Sequence, residues 1–166
     1  KARGIRFMTD HIIQNPHFLF IQTEPSVFTG NSTGFIQWTG IRGNYSTENS
    51  TQLKPDLSKP RLTQLEEVKY LDHAATRVEA KNRDEAIIEF MELTNYNFDF
   101  AIYIKKLNSI TSVARLTKSD FALVFTSGIS KDIDENFSGP TEQYIRNYGT
   151  RVHHLAFHTD NIDYAF

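Results

Sequence analysis

The chain has 166 residues, enough for one ordinary domain or parts of two, and its 39% hydrophobic and 23% charged residues mark it as globular rather than disordered. A net charge of −2 offers no basic field to recommend a nucleic-acid partner. Without cysteine, disulfides and thiolate metal sites are excluded and a reducing cytoplasm is the expected compartment. No apolar run reaches the ~18–20 residues of a membrane span, so no membrane partner is expected. Aromatic residues make up 13% of the chain, and a well-filled β-rich core is expected to take them. The chain opens on Lys1 and stops at Phe166 soon after a helix-start signal, which suggests a piece of a longer protein.

Residues 18–23 (FLFIQT) and 34–39 (GFIQWT) are short apolar runs of β type. A turn-rich stretch containing Gly30-Asn31 joins them, so they predict a hairpin with a long loop. From Arg42 to Lys59 the periodicity disappears and Lys54-Pro55-Asp56 punctuates a polar stretch, the pattern of an interdomain linker or of a long surface loop. Residues 70–78 predict the next strand. Asn82-Arg83-Asp84-Glu85 then offers an asparagine cap with glutamate three residues on, before Ile87, Phe90, Met91 and Thr94 at helical spacing. Residues 98–104, 110–116 and 121–126 predict three strands. Residues 127–140 form a polar loop, and PTEQYIRNY predicts a short helix with proline at its start and Gly149 closing it. Residues 152–159 are a further strand, after which Asp160 is placed to cap another helix. The order is one complete β-α-β-β-β unit and the opening of a second.

Two of these strands begin alike. Tyr70-Leu71-Asp72-His73-Ala74-Ala75 and Arg151-Val152-His153-His154-Leu155-Ala156 each place a histidine early in a β-type run with alanine two residues later. Imidazole is the commonest metal-binding side chain, and a duplicated module supplies two that face each other. Strict alternation puts Leu71, His73 and Ala75 on one face, and Val152, His154, Ala156 and His158 on one face. Ala75 and Ala156 would leave room beside an ion. One such histidine is more simply a satisfied core residue; its repetition at equivalent positions favours ligation by His73 and His154. His158 lies roughly 13 Å further along the strand and is expected at the rim. His153 is expected on the opposite face, and His11 and His17 fall outside the repeat. Two histidines do not complete the two-histidine, one-carboxylate triad of non-haem iron(II) oxygenases. Gln37 stands where a matching strand might hold an acid, but a neutral amide replaces it poorly.

With these residues in view, the chain resembles 4-hydroxyphenylpyruvate dioxygenases and their relatives in the vicinal oxygen chelate superfamily. Leu71-Asp72-His73 resembles the I-D-H that opens their catalytic domain. Gln143-Tyr144-Ile145, Val152-His153-His154-Leu155-Ala156 and Thr159-Asp160-Asn161-Ile162 resemble the E-Y-V…V-Q-H-I-A-L-x-T-E-D-I segment. Asp132-Ile133-Asp134-Glu135-Asn136 stands where the family has P-I-N-E-P, and His153 replaces a glutamine. The resemblance implies an α+β vicinal oxygen chelate fold, built from βαβββ modules in a curved, partly open barrel. Residues 1–41 would end a metal-free N-terminal domain, 42–66 would link, and 67–166 would form the first half of the catalytic domain. It implies iron(II) held by His73, His154 and a glutamate beyond residue 166. The implied partners are dioxygen and an aromatic 2-oxo acid, oxidatively decarboxylated and hydroxylated by a homo-oligomer; the piece alone would be inactive. A glyoxalase-like isomerase, an extradiol dioxygenase or a metal-free small-molecule-binding module would share the same pattern.

Overall fold

The structure, a computed structural model, describes residues 4–54, 57–58, 62–130 and 138–166. The chain divides into two compact units, Lys1–Ser26 with Asn31–Arg61, and Val27–Gly30 with Leu62–Phe166. Among the described residues no helix is long and apolar enough to cross a membrane.

In the first unit β1 (Ile13–Gln14), β2 (Phe18–Gln22) and β3 (Gly34–Trp38) pair antiparallel in chain order. Asn15 closes the β1–β2 turn, its Oδ1 accepting from the backbone N–H groups of His17 and Phe18 at 2.8 Å each. The predicted hairpin is the β2–β3 pair, with Phe18 directly opposite Trp38 and Leu19 opposite Gln37. Phe18, Trp38 and Tyr45 meet edge to face, their centroids 5.2–6.1 Å apart. Residues 55–56 and 59–61 of the predicted linker lie outside the described residues. Its last positions form a 3-10 turn, Thr63–Glu67, that leads into the second unit's first strand.

The second unit runs β4 (Val68–Arg77), α1 (Arg83–Leu93), β5 (Asn97–Ile104), β6 (Ser109–Arg115), β7 (Ala122–Gly128), α2 (Pro140–Tyr148), β8 (Arg151–Thr159) and α3 (Ile162–Ala165). Its strands order as β5-β6-β7-β4-β8. β4 and β7 pair parallel because a helix and two strands intervene between them; the other pairs are antiparallel. The fold is α+β: a complete βαβββ module whose first strand pairs with a further strand, β8, the order of elements that the sequence resemblance implied. The sheet is open, with β5 and β8 at its edges, and agrees with the expected partly open form.

Residue alternation gives this sheet two unlike faces. One packs against α1, where Val78, Ala114 and Phe125 bury against Ala86 and Ile87, with Phe28, Phe90, Met91, Tyr96 and Leu123 around them. Fully burying a side chain the size of Ile87 or Phe125 is worth roughly 1.5–3 kcal/mol. The other face carries a smaller cluster of Ala75, Val113, Ala122 and Val124. Composition predicted aromatics throughout the core, but among the described residues Phe125 is the one phenylalanine in it, while Phe98 and Phe100 on edge strand β5 stay exposed.

Two predicted caps differ. Asn82 ends a 3-10 turn with ψ near 0°, so its side chain turns back to Glu79 and makes no cap bond to α1. Asn161 rather than Asp160 caps α3, its Oδ1 accepting from Tyr164 N–H at 3.0 Å. At α2 the predicted proline start and Gly149 stop both hold, with Gly149 at φ 75°. Glu142 accepts the Gly139 N–H at 2.8 Å to satisfy the helix start.

Candidate functional site

β4 and β8 lie side by side, with His73 opposite Ala156 and Ala75 opposite His154. The two histidines are therefore diagonal neighbours on the face away from α1. Their rings meet edge to face with centroids 5.4 Å apart, and Nε2 of His73 lies 3.3 Å from Nε2 of His154. The predicted pair converges. Ala75 and Ala156 supply the small side chains opposite each ring.

The pairing is not a regular ladder. Between the Leu71–Phe157 and His73–Ala156 pairs β4 carries one extra residue, Asp72; between Ala75–His154 and Thr76–Val152 β8 carries one extra residue, His153. Each extra residue makes a β-bulge, which breaks alternation and re-aims side chains. This corrects the predicted faces. Leu71 pairs with Phe157 and Val152 with Thr76, so neither shares the histidines' face. His153 does not point away either: its Nδ1 lies 2.7 Å from Nδ1 of His154. On the other strand Asp72 Oδ1 lies 2.6 Å from His73 Nδ1, which donates to it. Both ligand candidates thus have Nδ1 engaged by the preceding, bulged residue and Nε2 turned toward the other.

Further groups brace this arrangement; Tyr144 lies in the segment that carries the resemblance, but no bracing role is legible in it, and Arg77 and Thr141 do not stand out in the sequence. Tyr144 of α2 meets the His153 ring at 4.6 Å between centroids and donates from its hydroxyl to the Val152 carbonyl at 3.3 Å. Arg77 donates from Nη1 to Thr141 Oγ1 at 2.7 Å, tying the end of β4 to α2. Burial lowers the pKa of Arg77, opposed by Tyr144 and Glu142. Partial desolvation of a largely exposed ring first, then the proximity of His153, His73 and Arg77, holds His154 below the usual imidazole range. His153 is lowered by burial and by Arg77. Both rings are therefore neutral at neutral pH, the form that binds metal.

His158 stays out of the pair, as predicted for a rim residue. It stacks on Tyr70 at 4.9 Å and bonds Asp160 Oδ1 at 2.9 Å through Nε2. His11, His17 and Gln37 belong to the first unit. Residues 132–136, which stand where the family has P-I-N-E-P, lie outside the described residues.

Two nitrogens bound at about 2.1 Å to one ion stand about 3.0 Å apart at a right angle and about 3.4 Å apart at a tetrahedral one. The His73–His154 separation of 3.3 Å falls within that range. The donor set fits a divalent ion in part: among the described residues no group of three His, Asp or Glu side chains is gathered to hold one.

No family model matches the chain, and no curated protein does. Solved structures do. A methylmalonyl-CoA epimerase from Mycobacterium tuberculosis is 14% identical, with 58% of this chain and 59% of that one covered at a TM-score of 0.47. A variant methylmalonyl-CoA epimerase from Streptomyces coelicolor, in complex with 2-nitronate-propionyl-CoA, is 14% identical over 58% of this chain and 66% of its own at a TM-score of 0.46. A further methylmalonyl-CoA epimerase is 16% identical over 59% and 66% at a TM-score of 0.46. The chain spans less than two thirds of the length of each, and identities this low transfer no residue roles.

Proposed function

We propose that this chain supplies two of the ligands, His73 and His154, for a divalent metal centre in an enzyme of vicinal oxygen chelate type. The observation that carries the reading is the 3.3 Å approach of two Nε2 atoms from equivalent positions on the opening strands of two modules. Residues 67–166 are then the first half of the metal-binding domain, and 1–41 and 42–66 the end of a preceding domain and its linker. The finer reading, supported by the sequence resemblance, is an iron(II)-dependent dioxygenase of the 4-hydroxyphenylpyruvate class, acting on an aromatic 2-oxo acid.

On that reading, each part of the site has a task. His73 and His154 hold the ion through Nε2, and a carboxylate from outside the described residues completes the triad. Iron(II) bound there would supply redox chemistry toward dioxygen and polarise the keto acid. Asp72 fixes the His73 ring. Ala75 and Ala156 leave space on the sheet face away from α1 for a small molecule beside the ion.

The test is anaerobic titration of the intact parent protein with iron(II) and zinc(II), beside its His73→Ala and His154→Ala variants. Binding by the wild type that falls at least a hundredfold in either variant is expected. Equal affinity in all three removes the assignment. Oxygen uptake on adding 4-hydroxyphenylpyruvate to the parent protein supports the dioxygenase. Metal binding without oxygen uptake moves the reading to a glyoxalase-like isomerase or another member of the superfamily, and no metal binding at all to a metal-free binding module.

A further inference from the structure

The contacts around the histidine pair form one continuous line: Asp72 Oδ1 to His73 Nδ1 at 2.6 Å, His73 Nε2 to His154 Nε2 at 3.3 Å, and His154 Nδ1 to His153 Nδ1 at 2.7 Å. A carboxylate only accepts, so His73 carries a proton on Nδ1, and in the neutral ring its Nε2 is bare. Facing that lone pair, His154 must carry its proton on Nε2. Its Nδ1 is then bare, and His153 must donate from Nδ1. With the rings neutral, one carboxylate thus sets three imidazole tautomers in series.

We propose that Asp72 and His153 are positioning residues at the two ends of a directional hydrogen-bond chain, and that loading a metal on the His73–His154 pair reverses its far half. The second clause rests on the metal reading above. Both Nε2 atoms must offer lone pairs to an ion. His73 already does. His154 must release its Nε2 proton to solvent and take one on Nδ1 from His153, while His153 regains a proton on Nε2 from solvent. Each ring keeps one proton throughout, so metal entry changes tautomers without net proton release from these residues. The bulges make this possible, because only an extra residue in each strand brings Asp72 and His153 beside the ring that follows. His73 therefore stands ready for a ligand, whereas His154 must switch.

Long-range proton–nitrogen spectra of the imidazoles, recorded well above the usual histidine pKa of about 6.5, test this directly. In the metal-free chain His73 and His153 are expected as Nδ1–H and His154 as Nε2–H. With zinc(II), His73 is unchanged, His154 becomes Nδ1–H and His153 becomes Nε2–H. Asp72→Asn, whose amide oxygen still accepts, keeps the His73 tautomer, and Asp72→Ala releases it to a mixture. His153→Phe keeps a ring against Tyr144 and is expected to weaken zinc about tenfold to hundredfold. A metal-free His154 already in the Nδ1–H form overturns the chain. A zinc-loaded His153 still in the Nδ1–H form overturns the switch. If zinc fails to bind the wild type, the metal reading and its switch fall, while the metal-free spectra still decide the chain.

Discussion

β4 and β8 each carry a histidine two residues before an alanine but live in different surroundings. β4 lies between β7 and β8, with Ala74, Ala75 and Thr76 buried, whereas β8 ends the sheet and its residues 151–155 are exposed. His73 is consequently held by a strand fixed on both sides. His154 depends on one neighbouring strand, on the bulge at His153 and on α2 pressing Tyr144 against that bulge. The better anchored histidine has a carboxylate partner, and the less anchored one has a second imidazole. A repeated motif can thus give two ligands of unlike rigidity, one preset and one adaptable.

The contrast can be broken most forcefully at the sheet's interior. Phe125→Ala, on β7 against α1, should cost about 3–5 kcal/mol in urea unfolding, because it opens a cavity in the core. Phe157→Ala on β8, which is 56% exposed, should stay within about 0.5 kcal/mol. Similar losses at the two sites would mean that β8 is as much part of the core as β7.

A smaller effect is expected where the chain approaches β8. Gly30 has φ 69°, and a Cβ there would lie 2.7 Å from the Thr150 carbonyl oxygen. Gly30→Ala should therefore destabilise by about 1–3 kcal/mol, through left-handed strain and displacement of that backbone. Tyr144→Phe removes one hydrogen bond to Val152 and should cost about 0.5–1.5 kcal/mol. If it costs nothing, α2 does not brace the bulge.

The smallest effect is with pH. His153 and His154 have lowered pKa values, so below about 6.5 the unfolded metal-free chain binds more protons than the folded one. The stability contributed by keeping these rings neutral is fully present above that pH and is lost as pH falls through the lowered values. Urea midpoints followed from about pH 7.5 to 5 should show this decline, shallower in His154→Gln than in the wild type.

The features that were legible in the sequence are those that follow from periodicity. α1, α2 and the five strands of the second unit were predicted within two residues of their ends, and the repeated histidine motif led to the pair that the structure brings together. What escaped it came from exceptions to period 2. Asp72 and His153 look like ordinary strand residues, and only pairing with the partner strand reveals that each is supernumerary; this is why alternation misplaced Leu71, Val152 and His153. The Asn82 cap failed for a related reason, since a 3-10 turn ahead of α1 took the backbone out of capping geometry. Tyr144 belongs to a motif of the resemblance but nothing local announces its contact with His153, and Arg77 carries no local signature; both roles arise from how α2 settles on β4 and β8.

The position of β8 at the sheet margin has a consequence for exchange with heavy water. One edge of β8 bonds to β4 and, among the described residues, the other has no strand beside it in the sheet, so its amides should divide into slow and fast sets along the strand. Regular pairing would alternate the two sets residue by residue. The extra residue at His153 shifts the alternation there, and the irregular pairing opposite Asp72 and between Val68 and Leu71 disturbs it again further along, so the comb has misplaced teeth at known positions.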